Sequence, residues 1–335
     1  MKILHIVPGV DDRANGMAVV ARFLANEQGD AEVVDLKDSL RTLRLCVSAL
    51  ENTTEVWVHG MWLPKEWQAC RRALKSGKRL VRMPHGSVDP VRLHYHGWKK
   101  RLVGPIERWC LRRCNRIVAT CEAEKGWIER YLGRRCPPIE VADVKRFFDL
   151  SHKEQEKQEM REELHLLYLG RHHPLKGVEY LEEAVKQLKS NPVNPVNPVQ
   201  NSSTCSTRQD SSAHSAPRGP LRPFGFASLR QPDDFIAGAS RLYVKIISSA
   251  FGDELEKVWD WCDVLVLPTL SENFGLVIAE ALERGKRVIT TDGAPAWGDG
   301  NDYGGRLVYL KGFRDGTDEA RVHLLKDAIE KLMGV

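Results

Sequence analysis

Long apolar runs are missing from this chain. Nothing approaches the ~20 consecutive residues that a membrane-spanning helix needs, and the longest pieces are short ones such as Val264-Leu265-Val266-Leu267. Cysteine is sparse and lacks metal or redox spacing: the eight cysteines, at 46, 70, 110, 114, 121, 136, 205 and 262, form no C-x-x-C pair. They read as reduced thiols of a cytoplasmic protein. A charge excess is lacking too. Fifty Lys+Arg against forty-five Asp+Glu leave +5, too little and too interspersed for a dedicated nucleic-acid binder, so no nucleic-acid partner is expected. No G-x-G-x-x-G follows the first strand and no G-x4-G-K-[ST] occurs, which argues against NAD and P-loop ATP chemistry. The opening Met1 to Pro8 carries one basic residue and a short apolar stretch; it reads as a first strand and not as a leader.

What is present is a rhythm. With 335 residues, 42% of them hydrophobic, the chain can build two cores. Short β-rich runs (Ile3 to Val7, Glu32 to Asp35, Val56 to His59, Arg79 to Met83, Arg116 to Thr120) alternate with amphipathic segments near Met17–Gln28, Leu40–Leu50, Lys65–Lys75, Trp98–Cys114 and Ala123–Tyr131. That alternation predicts parallel β-α units. A polar stretch from Ser151 to Glu163 interrupts it, and the pattern restarts at Leu164–Gly170. The expected fold class is α/β, two doubly wound Rossmann-like domains, residues 1–145 and residues 160–335. Within the second, 190–240 opens on a threefold Asn-Pro-Val repeat and continues Ser/Thr/Pro-rich. Its composition predicts a disordered insertion.

Two windows carry chemistry. In Val264–Leu282, a buried strand stops at Pro268, a short polar turn follows, and a helix is expected to start at Asn273 or Phe274. Such a strand-to-helix turn opens at the carboxyl edge of a parallel sheet, where free N–H groups suit a phosphate. Glu272 would precede the helix and Glu280 lie about two turns inside it, so the two carboxylates reach different parts of one extended ligand, each able to accept paired hydroxyls. The alternative is a dipole carboxylate plus a solvated helix glutamate. In Leu167–Gly177 a second strand ends at Gly170, followed by Arg171 and Lys176; two cations there suit a diphosphate, or else form an incidental charged loop.

Taken together, Glu272-x7-Glu280 within Ser-Glu-Asn-Phe-Gly-Leu-Val-Ile-Ala-Glu-Ala-Leu and Gly-Arg-x4-Lys-Gly at 170–177 resemble the retaining glycosyltransferases of family 4, of the bacterial polysaccharide and lipopolysaccharide type, which have the two-domain GT-B fold. The resemblance implies a hexosyltransferase using a nucleotide sugar, most simply a UDP-sugar, and an acceptor that is a glycan or a lipid-linked precursor. It implies Glu280 on the donor ribose, Glu272 on the hydroxyls of the transferred hexose, Arg171 and Lys176 on the diphosphate, and the backbone of Asn273, Phe274 and Gly275 along the sugar and phosphates. No cofactor and no metal are implied, and no D-x-D motif occurs to hold one. The implied mechanism is front-face displacement, with the donor phosphate taking the acceptor proton.

The first half supplies matching parts. Asp12–Gly16 resembles the family's glycine loop, with Gly16 as the donor contact and Asn15 standing for a second glycine because Asn tolerates left-handed geometry. His59 and His85 each end a strand, which is expected to face two imidazoles into the cleft; the resemblance favours His85 beside the reacting carbon. The basic helix at 98–116, with Leu102, Ile106, Trp109 and Leu111 interleaved among its arginines and lysines, is a candidate peripheral contact with an anionic membrane at the inner face of the cell membrane, or a solvated face over an apolar core stripe. A second functional reading is a binding protein on the same scaffold that no longer transfers, because the 190–240 segment stands where the family has a β-α unit of the base pocket.

Overall fold

The computed structural model describes residues 2–12, 15–36, 53–95, 97–151, 163–190, 236–237 and 242–334. Two sheets organise it. The first is six-stranded, in the order β2-β1-β3-β4-β5-β6, from β1 (Ile3–Val7), β2 (Ala31–Asp35), β3 (Glu55–His59), β4 (Arg79–Met83), β5 (Arg116–Ala119) and β6 (Ile139–Val141). Every pairing in it is parallel. Its helices are α1 (Gly16–Gln28), α2 (Pro64–Lys75), α3 (Pro90–His94), α4 (Gly97–Arg113) and α5 (Glu122–Leu132).

The second sheet runs β12-β11-β10-β7-β9-β8, from β7 (Leu164–Leu169), β8 (Ile236–Ala237), β9 (Leu242–Ile247), β10 (Val264–Leu267), β11 (Arg287–Thr291) and β12 (Leu307–Leu310), with α6 (Val178–Ser190), α7 (Asp253–Trp261), α8 (Leu276–Glu283) and α9 (Asp318–Met333). Only the two-residue β8 is antiparallel, on the edge beside β9. The expected helix at Leu40–Leu50, nearly all of the polar stretch 151–163, and the expected insertion 190–240 apart from Ser190 and Ile236–Ala237 lie outside the described residues.

Burial explains why these strands read as continuous apolar runs: a parallel sheet is covered on both faces. Leu4 and Ile6 of β1 pack with Cys70, Cys110, Leu111 and Ile128 of α2, α4 and α5. Ile3, on the opposite face, joins Val20, Leu24, Trp57 and Val81 in a core that runs on into Leu166, Leu265 and Ile289 of the second sheet. Each sheet also has one point where the order reverses, between β1 and β3 in the first and between β7 and β10 in the second. Loops leaving the carboxyl ends of strands at such a point diverge and leave room for a ligand. Both sequence windows, after β7 and after β10, fall there.

Candidate active site

The loops of the two domains meet. Gly16 opens α1, and a methyl group on it would stand 3.2 Å from Cδ1 of Leu276, the first residue of α8. Asn15 does not take the left-handed geometry expected of it: its φ is −85° and it is the N-cap of α1, accepting from Met17 N at 3.1 Å while its amide donates to Pro8 O and Gly9 O. A short polar side chain serves there as a helix cap.

The helix after β10 begins at Leu276, later than the expected Asn273 or Phe274, because Gly275 sits in the left-handed region at φ 76° and holds the preceding residues in a loop. Glu280 therefore lies a little over one turn inside α8, not two. The loop is stitched in place from both sides: Leu175 O accepts from Leu270 N and Thr269 Oγ1, each at 2.9 Å, and Trp297 Nε1 donates to Phe274 O at 2.5 Å. Its carboxylate, Glu272, is ion-paired with Lys176 and accepts from Asn273 N at 3.0 Å. Burial raises the Glu272 carboxyl, but Lys176 and then Arg92 outweigh it and leave the group below its ordinary value. Glu280 differs. It is half-buried, and among the described residues its carboxylate takes no hydrogen bond; burial raises its pKa, with Arg284 opposing. Arg171 is exposed just past the end of β7, and its carbonyl accepts from Tyr168 Oη at 3.2 Å.

Across from this loop stands the turn after β4. His85 and Gly86 are both left-handed, at φ 53° and 71°, a conformation that a non-glycine residue holds only when its surroundings fix it. Gly86 N donates to Glu124 Oε1 at 2.5 Å, and a Cβ on Gly86 would come within 3.0 Å of Asn273 Oδ1. The two domains thus touch at Gly86 and Asn273. Thr120 Oγ1 lies 2.8 Å from Asn273 Oδ1 and 2.7 Å from Glu124 Oε2; burial raises the Glu124 carboxyl. A second clasp joins Asp89, the N-cap of α3, to Ser271 Oγ at 2.5 Å and to Arg314, while Arg92 Nε donates to the same Ser271 Oγ at 3.0 Å. His85 is buried at this junction, but His59 does not face it: His59 is fully buried, with both ring nitrogens used by neighbouring histidines.

Residues 163–327 match the family model described as glycosyl transferases group 1, and residues 44–151 match the model of glycosyltransferase family 4. The chain carries the two domains of a GT-B glycosyltransferase. Solved structures agree on the fold. HepE of Anabaena, determined with UDP and glucose, is 14% identical with a TM-score of 0.54 over 98% of this chain and 90% of its own. Sucrose-phosphate synthase from Thermosynechococcus elongatus gives 0.60 at 14% identity over 99% and 90%, and the lipopolysaccharide outer core galactosyltransferase WaaB gives 0.51 at 15% over 100% and 94%. Identities this low speak for the fold alone. No curated protein matches the chain.

In this glycosyltransferase the structure brings together Gly16, His85, Lys176, Glu272, Asn273, Phe274 and Gly275, with Glu280 one turn behind them. Sequence reasoning missed the interdomain set Asp89, Arg92, Thr120, Glu124, Ser271 and Arg314. Asp89-Pro90 was legible as a helix start, but a cap says nothing of what the carboxylate meets in another domain. On α4, the alternative of an apolar stripe in the core fails for most of it: Leu111 is buried, whereas Trp98, Leu102, Ile106 and Trp109 are exposed at 64%, 71%, 42% and 40%. Lys99 lies over Trp98 and Arg113 over Trp109. No helix among the described residues is long and apolar enough to cross a membrane.

Proposed function

We propose that this glycosyltransferase transfers a hexose from a nucleotide sugar, a UDP-sugar, with retention and without a metal, to a glycan or lipid-linked acceptor. The observation that carries the proposal is the pair of carboxylates around the start of α8. Glu272 is ionised and held by Lys176, and Glu280 is half-buried, its carboxylate taking no hydrogen bond among the described residues. Two acceptor groups flanking a helix start suit the hydroxyls of a sugar on one side and of a ribose on the other. Arg171 and Lys176 supply the positive charge that a departing diphosphate needs, the contribution on which the rate depends most. The bound UDP and glucose in HepE, a protein of the same fold, support this choice of donor.

The acceptor side is the first domain. The exposed face of α4 sets Trp98, Leu102, Ile106 and Trp109 among Lys99, Arg101, Arg112 and Arg113. Apolar side chains that enter an interface, flanked by cations, fit an anionic bilayer surface, where a lipid-linked acceptor would be met. Incubation with UDP-glucose or UDP-galactose and an acceptor panel, followed by proton NMR of the product, tests the reading. An α-linked product from an α-linked donor, formed in the presence of a chelator, is expected. A β-linked product, or transfer that requires added metal, would overturn it.

A further inference from the structure

Three imidazoles run in a line through the first domain. His5 lies in the middle of β1, His59 ends β3, and His85 follows β4. His5 Nδ1 is 2.9 Å from His59 Nε2, and His59 Nδ1 is 2.8 Å from His85 Nε2. At one end of the line, His5 Nε2 is 2.7 Å from Oε1 of Gln28, the last residue of α1. At the other, His85 Nδ1 is 3.5 Å from Nδ2 of Asn273 in the second domain. All three rings are buried.

A neutral imidazole has one donor nitrogen and one acceptor, so each contact dictates the next. Gln28 Oε1 can only accept, which puts the His5 proton on Nε2 and leaves Nδ1 to accept. His59 must then donate from Nε2 and accept at Nδ1, and His85 must donate from Nε2. The lone pair of His85 Nδ1 is left facing the second domain, where the Asn273 amide nitrogen, a donor, meets it. Asn273 Oδ1 is turned the other way, toward Thr120 Oγ1. The Gln28 end sets this direction, and the Asn273 end is compatible with it.

The line is also kept neutral. Burial, then the neighbouring His85 and His5, then Arg82 hold His59 well below its ordinary value. Burial, then Arg82 and Arg92, bring His85 to about 3. Burial lowers His5 against the opposing pull of Gln28 and Glu55. An added proton would set N–H against N–H along the line.

We infer that His5, His59 and Gln28 are positioning residues that hold His85 as its Nε2–H tautomer, so that His85 Nδ1 offers an acceptor to a hydroxyl group of the sugar bound between the domains. The identity of that hydroxyl rests on the proposed transfer reaction; the tautomer does not. An acceptor at this point selects a group that can donate. The 3.5 Å contact with Asn273 is long for a hydrogen bond, and a sugar hydroxyl can take its place.

Long-range proton–nitrogen correlation NMR of the full chain labelled with ¹⁵N-histidine reads which nitrogen of each ring is protonated. The expected result is Nε2–H for His5, His59 and His85, unchanged between about pH 5.5 and 8, outside which an ordinary imidazole has largely finished titrating. A proton on His85 Nδ1, or titration of His85 in that range, would overturn the inference whether or not sugar is transferred. His59→Phe removes the acceptor for His85 Nε2–H. It is expected to mix the His85 tautomers and lower kcat about tenfold, the effect of losing one hydrogen bond, while UDP affinity stays within about twofold. His59→Asn, which restores an acceptor, is expected to recover most of the loss. A folded His59→Phe protein with unchanged tautomer and kcat would refute the positioning role; if that variant does not fold, the wild-type spectrum decides. The expected tautomers in a protein that binds no nucleotide sugar would instead count against the proposed reaction and leave the tautomer assignment standing.

Discussion

Lys176 is ion-paired with Glu272, across ninety-six positions of sequence. The pair joins the turn after β7 to the turn after β10, the two loops that leave the second sheet where its strand order reverses. A cation expected on a diphosphate and a carboxylate expected on a sugar thus hold each other in place. Binding a nucleotide sugar would exchange this mutual contact for two contacts with the ligand.

Replacing Lys176 by Met should therefore invert the acid response of the protein. In the wild type the folded-state carboxyl of Glu272 lies below its unfolded value. The stability it contributes is fully present above about pH 4.3 and is lost as pH falls through the lower folded value. Without Lys176, burial is opposed by Arg92 and the Asn273 N–H alone and is expected to raise the carboxyl, so that contribution should instead improve on acidification. Denaturant unfolding at a series of pH values checks this, with an expected loss of about 1–3 kcal/mol at neutral pH for the variant. An unchanged pH profile would show that the pair does not set the ionisation of Glu272.

Gly86→Ala should impair closure of the two domains. The substitution meets a left-handed φ of 71° and places a methyl group within 3.0 Å of Asn273 Oδ1. A loss of about 1–2 kcal/mol is expected from the backbone alone. The stronger signature is kinetic: kcat should fall while UDP affinity, which the proposed reaction assigns mainly to the second domain, stays close to wild type. Calorimetry beside steady-state rates separates the two effects.

Exposure of the apolar residues on α4 predicts vesicle binding. The wild-type chain should float with vesicles containing phosphatidylglycerol and not with neutral phosphatidylcholine, and the binding should weaken with salt as surface electrostatics require. Leu102→Glu, at a residue 71% exposed, should abolish flotation without altering UDP affinity. Equal flotation of the variant would remove the membrane from the account.

The β-α rhythm was legible because parallel strands buried on both faces leave continuous apolar runs, as in Val264–Leu267, and the candidate site was legible as a pair of loops because these follow such strands. What stayed hidden depends on meeting at a distance. His5 stands in the middle of an apolar strand and reads as an incidental core residue; only the register of β1 beside β3, with Ile3 opposite Glu55 and His5 opposite Trp57, brings it to His59. Asn15 was legible as a special position, but its backbone geometry was misjudged because an N-cap and a left-handed turn favour the same residue type. The start of α8 was misplaced by two to three residues because Asn273-Phe274 carries no breaker of its own. The left-handed Gly275 ends the loop instead.

The proposed reaction has Glu280 receive the sugar hydroxyls of a bound nucleotide. Titration calorimetry of UDP into the wild type and into a Glu280→Ala variant of the same circular dichroism tests it most directly. Losing hydrogen bonds to a charged acceptor removes about 1.5–3 kcal/mol, so clear binding by the wild type and an affinity roughly tenfold to a hundredfold weaker in the variant are expected. Equal affinities, or a folded wild type that binds no UDP at all, would contradict it.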